Sequence, residues 1–125
     1  MISISEAFYQ SLGIPYRVVD IVSGELNDAA IRKIDIEAWF PGQMRFRELV
    51  SVSNCTDYQS RLLETKYREG QQVKYPHMLN GTLVAIQRTI TCLIEHFYSD
   101  KDKVLKIPAA LQPFIRTDTL KPRKD

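Results

Sequence analysis

The run from Lys33 to Phe40 restricts the fold most: Ile34, Ile36, Ala38 and Phe40 fall on one side of an extended chain, and Lys33, Asp35, Glu37 and Trp39 on the other. Such alternation is the period of a strand with one face in a core. Pro41-Gly42 ends the run, and Arg45–Ser53 answers it with Phe46, Val50 and Val52 at alternate positions, so the two segments read as an antiparallel hairpin. Two carboxylates on the polar side, Asp35 and Glu37, suit a metal ion, an ammonium group or plain solvation. Glu48 is the odd residue. Strict alternation sets it among Phe46, Val50 and Val52, where a carboxylate has to be paired, metal-bound or turned into a cleft.

The flanks add helices and a second hairpin. Ser3-Ile-Ser-Glu6 has the form of a capping box, Ile4, Ala7, Phe8 and Leu12 make an apolar face, and Gly13 with Pro15 stops the helix. Tyr16 to Val22 is rich in β-branched residues and reads as a strand ending at the Ser23-Gly24 turn. Beyond the first hairpin, Asn54, Thr56 and Asp57 offer caps for a short helix over Tyr58–Leu62. Leu63, Thr65 and Tyr67 then alternate, Arg68–Gln71 reads as a turn, and Val73, Tyr75, His77 and Leu79 return. Pro76 has no N–H for a ladder, so that strand is an edge, is bulged, or breaks there.

Residues 77–94, HMLNGTLVAIQRTITCLI, open on a Gly-Thr turn and continue as a helix whose stripe is Leu83, Ile86, Ile90, Leu93, Ile94 and Phe97, with Asn80 or Thr82 as its cap. This spacing puts Arg88 about two turns inside the helix, among aliphatic neighbours. A guanidinium there needs an anionic partner or water, and snorkelling to solvent is the plain alternative.

At 125 residues, 44% hydrophobic and 26% charged, the chain is one ordinary domain of the α+β class, an antiparallel sheet flanked by helices. A net charge of +2 is too weak to argue nucleic-acid binding from electrostatics alone. Lys121, Arg123 and Lys124 form a short basic tail that reads as a solvated terminus. Cys55 and Cys92 lack zinc-like spacing, and His77 and His96 complete no cluster with them, so reduced structural thiols of a cytosolic protein are expected. No apolar run approaches the roughly 20 residues of a spanning helix. P-loop, G-x-G-x-x-G, HExxH and G-x-S-x-G patterns are all missing, which leaves a nucleophile-and-base mechanism little to work with.

Four segments, FYQSLGIPYRVV, DIEAWFPG, FRELVSVSNCTDYQSR and HMLNGTLVAIQRTI, stand in an order and at intervals that resemble the carboxy-terminal part of seryl-tRNA synthetase, the eukaryotic cytosolic type in particular, over residues 5–115. The resemblance implies part of a class II aminoacyl-tRNA synthetase catalytic domain over residues 1–115, followed by the basic tail, 116–125. It makes LNGTLVAIQRTI the third signature motif and Arg88 the arginine that grips the adenine and terminal phosphate of a bent ATP. Glu48 and Ser51 match the pair that holds a divalent metal, magnesium, on ATP, and Asn80 and Thr82 match residues of the serine pocket. The implied reaction joins the serine carboxylate to the ATP α-phosphate and passes the seryl group to tRNA(Ser). The implied setting is a cytoplasmic homodimer with no membrane attachment.

The family's first and second motifs, the latter with an FR-x-E arginine, belong before Ser3, and no heptad run matches its coiled coil. The chain therefore reads as a carboxy-terminal segment of a longer synthetase, expected to form no seryl-adenylate alone. A non-catalytic stand-alone module built on the same sheet is the other reading. Strict alternation through Arg45–Ser53 would put Glu48 and Ser51 on opposite faces, so their sharing one ion requires a twist or bulge.

Overall fold

A computed structural model describes residues 1–122. The chain runs α1 (Ile2–Leu12), β1 (Tyr16–Asp20), β2 (Arg32–Phe40), β3 (Arg45–Asn54), α2 (Tyr58–Leu62), β4 (Tyr67–Glu69), β5 (Gln72–Lys74), β6 (Leu79–Gly81), α3 (Ile86–Phe97), β7 (Tyr98–Ser99), β8 (Val104–Lys106), α4 (Gln112–Ile115) and β9 (Thr119–Leu120). The main sheet is antiparallel in the order β1-β2-β3-β6. The apolar side of β2 behaves as its alternation predicts: Ile36, Ala38 and Phe40 are buried in a core with Tyr9, Leu12 and Ile14 from the α1 side and Cys92 of α3. Both helices thus lie on one face of the sheet, and the face with Lys33, Asp35 and Glu37 is left for chemistry.

Helix α1 stops as expected but starts and faces differently. It begins at Ile2 with Met1 as N-cap and no side-chain cap bond, so the capping box at Ser3 does not form. Its buried side is Ser5, Tyr9 and Leu12, while Ile4 is exposed. Packing chose this rotation: the Tyr9 hydroxyl shares a buried 3.1 Å hydrogen bond with Thr89 of α3, which a face centred on Ile4 would forfeit. At the other end Gly13 is left-handed, φ 71°, its N–H donating to the Gln10 carbonyl and that of Ile14 to the Tyr9 carbonyl. Gly13→Ala is expected to destabilise the chain by roughly 1 kcal/mol, because a Cβ is disfavoured in that region, and a urea midpoint will measure it.

Strand β3 holds the decisive irregularity. Ile36 pairs with Val50, but the next residue of β2, Glu37, pairs with Glu48, so Leu49 is an extra residue, a β-bulge. Leu49 and Val50 are both fully buried in the core. Glu48 is thereby released from the Phe46-Val50-Val52 alternation and shares the open face with Asp35 and Ser51, correcting the strict-alternation expectation.

The second hairpin is shorter than its sequence pattern. Leu63 is the C-cap of α2, and pairing begins only at Tyr67, turns at Gly70 (φ 62°) and ends at Lys74, before Pro76. After that break β6 joins the main sheet, with Ser53 opposite Asn80. Helix α3 starts at Ile86, with Ala85 as N-cap and no side-chain cap bond, so neither Asn80 nor Thr82 caps it. The backbone is held to the sheet edge instead, Thr82 N–H donating to the Ser51 carbonyl (3.0 Å) and Ala85 N–H to the Leu49 carbonyl (3.1 Å). The helix buries Thr89 and Cys92, leaving Ile86, Ile90 and Ile94 of the expected stripe exposed. Near the end, Leu120 pairs with Leu105, so residues 119–120 form a strand within the expected tail. Lys121 is exposed, and Arg123 and Lys124 lie outside the described residues.

Candidate functional site

Cross-strand register gathers the site. On the face opposite α1 and α3, Glu48 stands opposite Glu37, Ser51 opposite Asp35, and Asn80 opposite Ser53. Because directly paired residues point to the same side, the bulge at Leu49 puts Glu48 and Ser51 on one face although they are three apart in sequence. Helix α3 delivers Arg88 to the same place. Beginning at Ile86, it carries Arg88 in its first turn, not two turns in, and the guanidinium Nη1 donates to the Glu48 carbonyl at 2.6 Å.

A chain of alternating charge crosses this face. The carboxylate of Asp35, only 3% exposed, accepts a hydrogen bond from the Lys33 ammonium at 2.9 Å through Oδ2, and its Oδ1 is buried without a hydrogen-bond partner. Lys33 Nζ also lies 3.5 Å from Glu48 Oε2, and Arg88 Nη1 lies 3.6 Å from Glu48 Oε1. Burial works against the charge on Lys33, but its hydrogen bond and proximity to Asp35, with Glu48 adding to them, raise its pKa above the ordinary lysine value. The ammonium therefore stays charged across the neutral range. Glu37 is held apart by Arg17 at 2.7 Å, whose guanidinium stacks over Phe46.

These contacts bear on a metal. Glu48 has two cations near it and neither at the 2.7–2.9 Å of a tight charge-assisted bond, so its oxygens are free to turn toward a closer ion. No group of three His, Cys, Asp or Glu side chains suited to a metal occurs among the described residues. A hard divalent ion at Glu48 and Ser51 therefore needs further oxygens from a ligand, which is the way magnesium is usually held with a polyphosphate.

Asn80 donates from Nδ2 to the Cys55 sulfur at 3.4 Å, and Thr82 borders a cavity of about 200 Å³ that also touches Met1, Ile4 and Leu83. Both cysteines are buried and unbridged. Burial, with a smaller contribution from the Glu95 charge, pushes the Cys92 thiol up to about 12. Since the folded value lies above the ordinary one, the stabilisation is complete below about pH 9 and is lost as pH rises toward 12. Urea midpoints between pH 8 and 10.5 are expected to fall more steeply for the parent chain than for Cys92→Ala.

Sequence reasoning singled out Asp35, Glu48, Ser51 and Arg88, but not Lys33. The only local signal for Lys33 was its place two residues from Asp35 on the polar side of β2. Its reach to Glu48 depends on the pairing of β2 with β3.

Comparison with known proteins identifies the family of this fold. The model of the "tRNA synthetase class II core domain (G, H, P, S and T)" matches residues 1–97. The cytoplasmic serine–tRNA ligase of Candida albicans is 57% identical over 119 residues, covering 92% of this chain and 25% of that protein. A crystal structure of the cytoplasmic ligase from Naegleria fowleri in complex with AMP superposes with a TM-score of 0.88 at 54% identity, over 99% of this chain and 29% of that one. Seryl-tRNA synthetase from Pyrococcus horikoshii complexed with ATP gives a TM-score of 0.90 at 41% identity, over 98% of this chain and 28% of that one. The chain thus spans about a quarter of the length of the curated relatives it matches. No helix among the described residues is long and apolar enough to cross a membrane. The antiparallel sheet, its helices on one face and the match over residues 1–97 agree: this chain belongs to the class II tRNA synthetase core-domain family.

Proposed function

We propose that this chain is the third-motif segment of a serine–tRNA ligase. In that reaction an oxygen of the serine carboxylate bonds to the α-phosphorus of ATP and the bond to pyrophosphate breaks; the seryl group then passes to the terminal ribose of tRNA(Ser), releasing AMP. Arg88 would grip the nucleotide. Its fork has five N–H donors, of which one is used on the Glu48 carbonyl, and the side chain is half exposed. Glu48 and Ser51 would hold magnesium together with ATP oxygens, and the ion's contribution is to neutralise the polyphosphate charge. Asn80 and Thr82 would line the serine pocket. Such chemistry runs on positioning and charge, which agrees with the charged groups Lys33, Glu48 and Arg88 gathered at this face. The relatives named cytoplasmic support a setting in the cytoplasm, and the homodimer is what the family resemblance implies.

One observation supports this reading most: the Leu49 bulge puts Glu48 on one face with Ser51, and the Arg88 guanidinium from α3 bonds the Glu48 carbonyl beside them. The test is a chimaera in which these 125 residues replace the matching segment of the Candida albicans ligase. Serine-dependent pyrophosphate exchange within about tenfold of the parent enzyme is expected. A folded chimaera without exchange would mean the segment has lost the activity. The 125 residues alone are expected to show no exchange above background.

A further inference from the structure

The Lys33 ammonium sits between the two carboxylates nearest the proposed metal position, 2.9 Å from Asp35 and 3.5 Å from Glu48. An ammonium has three N–H donors, so these two contacts leave one unused. The Lys33 side chain is 22% exposed, on the same face as Glu48 and Ser51, which gives that third donor a route to a ligand. Asp35 is the anchor. It is 97% hidden from solvent by its 3% exposure, spends one oxygen on Lys33 and leaves the other unpartnered. A buried carboxylate so incompletely satisfied is costly, and what it secures here is a fixed position for an otherwise flexible lysine.

We infer that Lys33, tethered by Asp35, is a further phosphate-contacting residue, and that it makes the Glu48–Ser51 site accept a divalent ion only together with a polyphosphate. The inference rests on the nucleotide reading of this face. The physical basis is a sign difference. A bare divalent ion approaching Glu48 meets the repulsion of Lys33, whereas an ion carrying phosphates brings negative oxygens that the free N–H can bind. With only Glu48 and Ser51 as protein donors, the ion also depends on those oxygens to fill its shell.

The test uses the 15N-labelled chain with two probes, magnesium ATP followed by amide shifts and manganese chloride alone followed by paramagnetic broadening at residues 48 and 51. Lys33→Met is expected to weaken magnesium ATP binding about tenfold, the loss of one charge-assisted hydrogen bond, and to strengthen binding of bare manganese roughly three- to tenfold. Because Lys33→Met strands the buried Asp35 charge, the double variant Lys33→Met/Asp35→Asn keeps the question open to decision if the single one does not fold. It is expected to lose nucleotide binding equally, with bare manganese unchanged. If the parent chain responds to magnesium ATP at Glu48, Ser51 and Arg88 but the variants bind it as well as the parent, the role of Lys33 is overturned and the nucleotide reading stands. If Lys33→Met weakens both probes alike, the selectivity is overturned. If the parent chain itself shows no response at those residues, the nucleotide reading falls and this inference with it.

Discussion

Arg88→Lys, introduced into the chimaeric ligase, is expected to lower kcat/KM for ATP by roughly a hundredfold or more, the scale for removing a preorganised donor from a phosphoryl-transfer site. Lysine keeps the charge but loses the planar fork, so it can hold the Glu48 carbonyl or a phosphate but not both with fixed geometry. Folding stability should move by less than about 1 kcal/mol, because the Arg88–Glu48 pair is loose at 3.6 Å and both side chains are partly solvated. Exchange rates measured against ATP concentration separate these effects. A variant within about threefold of the parent would remove Arg88 from the nucleotide site.

The second large effect is on the fold. Leu49→Ala is expected to cost about 2–5 kcal/mol, measured by denaturant unfolding, because Leu49 is fully buried and its loss leaves a cavity between the sheet and its helices. The result bears on function as well as stability. Leu49 is the extra residue of the bulge, and its burial beside Val50 is what keeps Glu48 and Ser51 together on the open face. A cost under about 0.5 kcal/mol would place Leu49 at the surface, restore strict alternation through Glu48, and separate the two proposed metal ligands.

The parts of the fold that were legible in the sequence are those with local causes. Alternation gave the β2 core face, the Pro-Gly break gave the turn, and Gly13 the end of α1; at Pro76 the sequence left an edge, a bulge or a break open, and the structure ends the hairpin before it. The misplaced features have non-local causes. Ser3 offered a plausible cap and Ile4 an apolar face, but the Tyr9–Thr89 bond between helices chose another rotation. The helix expected from Leu83 lost its first turn to backbone bonds with β3. Ile86, Ile90 and Ile94 fit a helical stripe, yet the buried side of α3 is set by where Thr89 and Cys92 meet the core.

The same division holds for the site. The amino-acid sequence alone showed which groups were available: a guanidinium, Arg88, on an apolar helix and expected about two turns inside it, carboxylates at Asp35 and Glu48, a hydroxyl at Ser51, and four segments whose order resembles a synthetase. That these groups meet follows from strand pairing and packing. One extra residue in β3 reverses the side on which Glu48 emerges relative to Val50, and the pairing of β2 with β3 brings Lys33 from a separate strand to stand between two carboxylates. The physical reason is that a strand's period is two, so a single inserted residue shifts every side chain after it to the other face, and whether it is inserted depends on the partner strand and the core beneath it.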